Sequence, residues 1–129
     1  MKEEEFAKLE IVNDRGYLRL GRPAHGFEQK GRTYFIPNLR AMPPDEVRYL
    51  AEQLELAAAA VESGGEYKHD VLRELGALVA PNRQIWVWAR IGPSRRYIPS
   101  REFVTDEGLS ATQARALAAR LRAALPSGG

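Results

Sequence analysis

Residues 43–61 read PPDEVRYLAEQLELAAAAV, and this stretch decides the fold more than any other. Proline followed by two acids is typical of a helix start, because proline's fixed φ suits the first turn and acids stabilise the positive end of the helix dipole. Apolar residues then recur at helical spacing, which predicts a core-facing stripe. The stripe consists of Val47, Leu50, Ala51, Leu54, Ala58 and Val61. Ser63-Gly64-Gly65 is expected to end the helix.

Two further helices are predicted downstream. The first is a shorter helix over Tyr67–Val79, carrying Val71, Leu72, Leu75, Leu78 and Val79 and ending at Pro81-Asn82. The second begins at Ser110, where Ser and Gln at capping-box spacing favour a helix start. Its core stripe is expected to be Ala114, Leu117, Ala118, Leu121 and Leu125.

The strands are predicted on both sides of the long helix. Phe6–Val12 and Tyr17–Leu20 flank the turn signal Asn13-Asp14-Arg15-Gly16, which predicts a hairpin with Leu18 and Leu20 facing the core. Another strand is expected over Arg32–Pro37. Arg83–Ile91 (RQIWVWARI) is β-branched and aromatic and is predicted to be a central strand. A turn at residues 92–95 and a return strand over Arg96–Val104 should follow.

These elements predict an α+β fold: an antiparallel sheet of about four to five strands with two or three helices packed mainly on one face. A chain of 129 residues fits one domain, 1–129, with a frayed tail at 126–129. Arg32–Pro37 resembles Arg95–Pro99, and a helix follows each. This likeness has two explanations. Either the chain consists of two ββα half-repeats, 1–65 and 66–125, or a common supersecondary unit occurs twice by chance.

Composition excludes several classes of protein. The chain has no cysteine, which excludes thiolate metal sites and thiol catalysis. The N-terminal MKEEE is acidic and no apolar segment is long enough to cross a bilayer, so we expect a cytoplasmic protein without membrane contact. The net charge of +2 combines −2 in residues 1–65 with +4 in residues 66–129. Arginine outnumbers lysine by 15 to 4, which suits phosphate or carboxylate binding but also follows from GC-rich codon usage.

Catalytic motifs are missing from the sequence. No serine lies in a nucleophile elbow, no phosphate-binding glycine loop is present, and the two histidines, His25 and His69, are far apart in sequence. Each histidine is a conceivable general base, but polar loop and helix-end positions are usually solvated. We therefore predict no catalytic residues, no cofactor and no metal ion, and an enzyme using His25 or His69 is the third choice.

One surface is the main candidate for binding. Along the strand 83–91, alternate positions place Ile85, Val87, Ala89 and Ile91 on one face and the tryptophans on the other. Arginines beside aromatic rings form a platform that stacks bases and holds phosphates. Equally, the tryptophan face is covered by Tyr67–Val79 or by a second subunit. The candidate surface comprises Arg83, Trp86, Trp88, Arg90, Arg95, Arg96, Tyr97 and Arg101.

The predicted function is therefore binding rather than catalysis. Its first form is a small bacterial or phage protein that acts through a protein–protein interface, as an inhibitor, antitoxin or immunity protein does. Self-association is one version, because the Ala57–Ala60 run with Leu56 and Tyr49 widens the apolar arc of the long helix. The alternative is a nucleic-acid-binding protein that uses the arginine–tryptophan surface.

Overall fold

A computed structural model describes residues 1–21, 41–70, 72–90, 101–103 and 108–126 of the chain. Helices and antiparallel strands are both present, which confirms the α+β class. The elements in chain order are α1 (Glu3–Phe6), β1 (Glu10–Asp14), β2 (Tyr17–Gly21), α2 (Pro44–Ser63), β3 (Leu75–Val79), β4 (Ile85–Arg90), β5 (Arg101–Phe103) and α3 (Ala111–Ala124). Among the described residues, no helix is long and apolar enough to cross a membrane.

The described strands form two antiparallel sheets. One is the hairpin of β1 and β2, and the other has the order β3-β4-β5. The predicted hairpin and the central position of β4 are thus confirmed, but the first strand of the hairpin is Glu10–Asp14 rather than residues 6–12, because Glu3–Phe6 form helix α1. A single sheet of four to five strands is not confirmed. The predicted strand over 32–37 and the predicted turn at 92–95 lie outside the described residues. Of the predicted return strand 96–104, residues 101–103 are described and form β5.

Helix α2 begins and ends as its sequence predicts, and α3 begins as predicted, whereas Leu125 of the predicted core stripe lies just after the end of α3. Pro44, Asp45 and Glu46 form the first turn of α2, and Gly64 closes it with a left-handed φ of 73° that residues with a side chain rarely adopt. Ser110 and Gln113 form the predicted capping box at the start of α3: each side chain bonds to the other residue's backbone N–H.

The predicted helix over Tyr67–Val79 is wrong. Residues 75–79 are strand β3, paired with β4 from Leu75↔Ala89 to Val79↔Ile85. Leucine and valine at 75, 78 and 79 suit a helix stripe and a buried strand equally, so periodicity alone could not separate them. Gly76 argues against a helix interior, where glycine costs about 1 kcal/mol relative to alanine, and in the strand it lies opposite Trp88 of β4.

A single cluster of buried residues joins both sheets and both long helices. Leu18 and Leu20 of β2 are buried in it, as predicted, and so is the apolar face of β4. The helices run antiparallel, since Arg115 in the first turns of α3 pairs with Glu62 at the end of α2 at 2.7 Å. Ala57 and Ala58 are fully buried in this cluster, so these two alanines are not available for contact with a second subunit.

The two halves of the chain repeat one arrangement. In each, the second strand of a hairpin forms an isolated bridge to the residue that precedes a helix: Leu18 to Met42, and Ile85 to Leu109. Leu18 and Ile85 are 67 positions apart, and so are Met42 and Leu109. The same spacing relates buried helix residues, as in the pairs Val47 and Ala114, Leu50 and Leu117, Ala51 and Ala118, and Leu54 and Leu121.

The helices are exchanged between the halves. Helix α2 packs against β3 of the second half, and α3 packs against β1 of the first. This exchange is the arrangement expected of two similar units related by an approximate twofold axis. The Arg32–Pro37 and Arg95–Pro99 stretches, whose likeness suggested half-repeats, lie outside the described residues.

Candidate protein-binding site

Arg83, the first residue of the predicted binding surface, supports the end of α2. It lies in the turn between β3 and β4 with a left-handed φ of 66°. Its guanidinium donates hydrogen bonds to the carbonyl oxygens of Ala60, at 2.9 Å, and Gly65, at 3.0 Å. Carbonyls in the last turn of a helix lack partners within the helix, and a cation there is also favoured by the helix dipole. Arg83 thus acts as a cap for α2.

The two tryptophans differ in exposure. Trp88 is fully buried, although it is not part of the main core cluster, and its ring meets that of His69 edge-on at 6.3 Å. Trp86 is half-buried. His69 belongs to the segment 67–79 that was expected to cover this face. Because Trp88 is buried, Trp86 is the tryptophan whose ring a base or a protein partner could contact.

The remaining arginines are only partly described. The register of β4 and β5 places Arg90 directly opposite Arg101. Arg95, Arg96 and Tyr97 lie outside the described residues. The structure therefore brings the positions of two predicted arginines together and shows a different use for a third, Arg83.

His69 does not belong to a cluster of metal ligands in the described parts of the chain. No group of three His, Cys, Asp or Glu residues that could hold a metal ion occurs there. His69 contacts the Trp88 ring. His25 lies outside the described residues.

A different surface emerges along the outer side of α2. The segment after α2 folds back over this helix, and the hydroxyl of Tyr67 donates to Oε1 of Gln53. Arg73 places its guanidinium carbon 4.3 Å from the centre of the Tyr49 ring, which is a cation–π contact. Burial raises the pKa of both tyrosines above the usual value near 10, and the nearby Arg73 partly opposes the rise at Tyr49.

A cavity of about 210 Å³ opens between the start of α2 and the start of β3. We call it the Leu72 groove. It is lined by Asp45, Glu46, Tyr49, Leu72, Arg73, Glu74 and Leu75. Its floor is apolar, because Tyr49 packs against the core and Leu75 belongs to it.

Leu72 stands at the edge of this groove and is 82% exposed. A turn fixes it there: the Leu72 N–H donates to Oδ1 of Asp70 at 2.9 Å, and Arg73 pairs with the same carboxylate at 3.7 Å. Because it is so exposed, the Leu72 side chain contributes little hydrophobic stabilisation to the isolated chain. A partner that covered this leucine and filled the groove would remove its apolar surface from water.

The groove was missed in the sequence because Leu72 was assigned to a buried helix stripe. The signal was Asp70, whose side chain favours a turn over a helix interior. Tyr49, which lines the groove, was instead grouped with Leu56 and Ala57–Ala60 as a surface for self-association.

Three comparisons with known proteins found no match for this chain. The sequence matches no protein-family model, and neither a curated protein nor a solved structure matches the chain.

Proposed function

We propose that this chain is a non-catalytic protein-binding module and that the Leu72 groove takes up an apolar side chain of a protein partner. The observation that carries the proposal is the 82% exposure of Leu72 beside a cavity of about 210 Å³. Burial of a leucine stabilises a complex by roughly 1.5–3 kcal/mol, which a partner gains by covering it.

The size of the cavity favours a protein partner over a small-molecule ligand. Sites for small molecules usually enclose roughly 300–1,000 Å³. The groove, at about 210 Å³, is smaller and suits one side chain of a larger partner. A bacterial or phage inhibitor, antitoxin or immunity protein working in the cytoplasm, with self-association as a variant, fits this proposal.

The test is selection from a random peptide library displayed on phage, followed by binding measurements with the purified peptides. We expect the selected peptides to shift the backbone NMR signals of residues that line the groove. Leu72→Ser should weaken their binding by about tenfold or more, since about 1.4 kcal/mol corresponds to a factor of ten. Leu56→Ser is the matched control, because Leu56 is also exposed and lies outside the groove.

Two results would contradict the proposal. One is equal binding of the selected peptides by the wild type and Leu72→Ser, when both melt at the same temperature. The other is a selection that yields no binding peptide at all.

A second candidate is nucleic-acid binding, favoured by the pairing of Arg90 with Arg101 across β4 and β5. Like charges directly opposite one another destabilise a sheet, so two arginines in this register suit a surface that meets an anion. With Trp88 buried and Arg83 capping α2, Trp86 is the aromatic residue of the predicted platform that remains for stacking within the described part of the chain.

Its test is fluorescence anisotropy with a labelled single-stranded RNA or DNA at several salt concentrations. If the candidate holds, affinity falls steeply with salt, and Arg90→Ala with Arg101→Ala lowers the salt slope by about two. Arg48→Ala, an exposed arginine on α2 that pairs with Asp45, is the control. Absence of binding at low salt would exclude this function.

A further inference from the structure

The Leu72 groove and the Leu72 side chain are complementary in shape. The groove, of about 210 Å³, is a hollow with Tyr49 and Leu75 in its apolar lining. Leu72 lies at its edge and is 82% exposed, so it projects from the same patch as a knob. In a twofold dimer each subunit presents the same patch to the other, so a knob and a hollow on one patch can fill each other reciprocally. A second copy of the chain therefore offers both an occupant for the groove and a cover for Leu72.

The backbone around Leu72 is already fixed before any partner binds. The Leu72 N–H donates to Oδ1 of Asp70 at 2.9 Å. The next residue, Arg73, pairs with the same carboxylate at 3.7 Å and lies 4.3 Å from the centre of the Tyr49 ring. An anchor held in this way loses less conformational freedom on binding than one on a free loop. Each copy thus presents its leucine and its groove in a fixed relation, which reciprocal insertion requires.

The charged side chains around the groove are engaged within their own chain. Asp45 pairs with Arg48 at 3.1 Å. Glu46, Arg73 and Glu74 each interact with other groups of the chain as well. The rim therefore does not call for a partner of opposite charge, and the apolar lining decides which side chain enters. The leucine of a second copy is an uncharged, apolar side chain of this kind.

This contact differs from the self-association surface that the sequence suggested. That surface was Ala57–Ala60 with Leu56 and Tyr49, but Ala57 and Ala58 are fully buried in the core. Of that set, Tyr49 lines the groove. The structure thus moves the candidate contact from the alanines to the start of α2 and the turn that carries Leu72.

We propose that the Leu72 groove binds Leu72 of a second copy of this chain, so that two copies form a twofold dimer by reciprocal insertion. This inference rests on the proposed function and names the partner. Seven residues line the groove, against roughly 20–30 residues on each side of a standard interface, so the dimer is weak and reversible. Carboxylates outnumber arginines in the lining, so two copies repel slightly and salt, which screens this repulsion, should strengthen the dimer.

The experiment is an NMR dilution series of the isotope-labelled chain, starting at about 1 mM so that a dimer with a dissociation constant of this order is detected. We expect the signals of the residues that line the groove to shift with concentration. Leu72→Ser should weaken self-association by about tenfold or more, because both symmetric insertions lose their apolar side chain. Val12→Ser is the matched control, since Val12 is also an exposed apolar residue but belongs to β1, and it should leave the dimer unchanged.

A mixing experiment identifies the inserted side chain. Labelled Leu72→Ser keeps a groove but has no leucine to insert. Its groove signals should shift when unlabelled wild-type chain is added, because one of the two insertions remains possible. They should shift much less when unlabelled Leu72→Ser is added. Thermal melts confirm that the variant is folded, as expected for a substitution at a position that is 82% exposed.

Several outcomes overturn the inference: a chain that stays monomeric at about 1 mM, concentration-dependent shifts that lie outside the groove, or a dimer that survives Leu72→Ser. An equal response of the labelled variant to both additions, or a dimer that dissociates steeply as salt rises, also overturns it. If the chain is monomeric but peptides from the library bind in the groove, the inference fails while the proposed function stands. If the selection also returns no peptide, the proposed function fails as well.

Discussion

Glu55 of α2 and Arg122 of α3 form an ion pair, and the two residues occupy equivalent positions in the two halves of the chain. They are 67 positions apart, as are the bridge residues Leu18 and Ile85. Equivalent residues touch each other only where a twofold axis passes between them, so the approximate axis of the repeat runs through this pair. Identical halves would place like charges face to face here. The opposite charges at these positions instead allow an ion pair between the two helices.

Reversing one charge of this pair should destabilise the fold modestly. In Glu55→Arg, two arginines face each other across the α2–α3 contact, which we expect to cost about 0.5–1 kcal/mol because both side chains are partly solvated. The double variant Glu55→Arg with Arg122→Glu should recover most of the loss. Urea unfolding measures both values, and a double variant as unstable as the single one would argue against direct pairing.

Gln113→Ala should destabilise the chain more than its position near a helix start suggests. The Gln113 side chain is 3% exposed and joins the capping box to the N-terminal segment. We expect a loss of about 1–3 kcal/mol, because the cap is weakened and buried polar groups lose partners. Thr112→Ala, at the exposed neighbouring position, is the control and should change the free energy of unfolding little. Equal effects of the two variants would refute this role.

Gly108→Ala should be poorly tolerated. A Cβ atom at this position would lie 2.5 Å from Cβ of Gln84 and 3.0 Å from Nε1 of Trp86, so backbone must move to admit it. We expect a cost of about 1–3 kcal/mol, typical of overpacking. Gly76→Ala is the comparison, since its Cβ would meet the Trp88 ring at 3.4 Å, close to ordinary contact. Thermal melts of both variants measure the difference. Equal melting temperatures would contradict the prediction and show that the backbone beside the Ile85–Leu109 bridge moves at little cost.

Alkaline pH should destabilise the protein in part through Tyr67. Burial, and to a lesser degree the nearby Tyr49, raises the pKa of the Tyr67 phenol above its usual value near 10. Below pH 10 the phenol is protonated in both states and contributes no pH dependence. Above pH 10 the unfolded chain loses this proton first, so the free energy of unfolding falls as pH rises, by at most about 1.4 kcal/mol per pH unit for one tyrosine.

Tyr67→Phe provides the control for this titration. Its free energy of unfolding at pH 8 sets the baseline difference from the wild type. Between pH 10 and 11 that difference should shift in favour of the variant, which has one tyrosine fewer to ionise. Parallel curves for the two proteins over this range would contradict the assignment.

Local patterns made much of the fold predictable. The turn signal at residues 13–16 fixed the first hairpin, because a two-residue turn with Arg15 and Gly16 at positive φ sets its register. The opening Pro-Asp-Glu and the closing glycine bounded α2, and the Ser110–Gln113 spacing located the start of α3. Each of these features depends on residues within a few positions of one another.

The Leu72 groove was not predictable in that way. Leucine at position 72 suits a helix stripe when only its neighbours are considered, and its exposure follows from where Asp70, Tyr67 and Gln53 meet in space. The candidate arginine–tryptophan surface, in contrast, was evident in the sequence but is only partly available in the structure. Its residues alternate clearly in sequence, but Arg83 is drawn to the end of α2 and Trp88 is buried against Gly76 and His69.

The sequence by itself determined the α+β class, the hairpin, both ends of α2, the start of α3 and most of the side chains of their core stripes. Those properties follow from backbone preferences and from hydrophobic periodicity, which act over a few residues. The tertiary structure alone decided that residues 75–79 pair as a strand, that each helix packs on the hairpin of the other half, and that Leu72 is exposed beside the groove between α2 and β3. These outcomes depend on contacts between residues far apart in the chain. The free energies of such contacts cannot be read from a pattern of neighbouring residues.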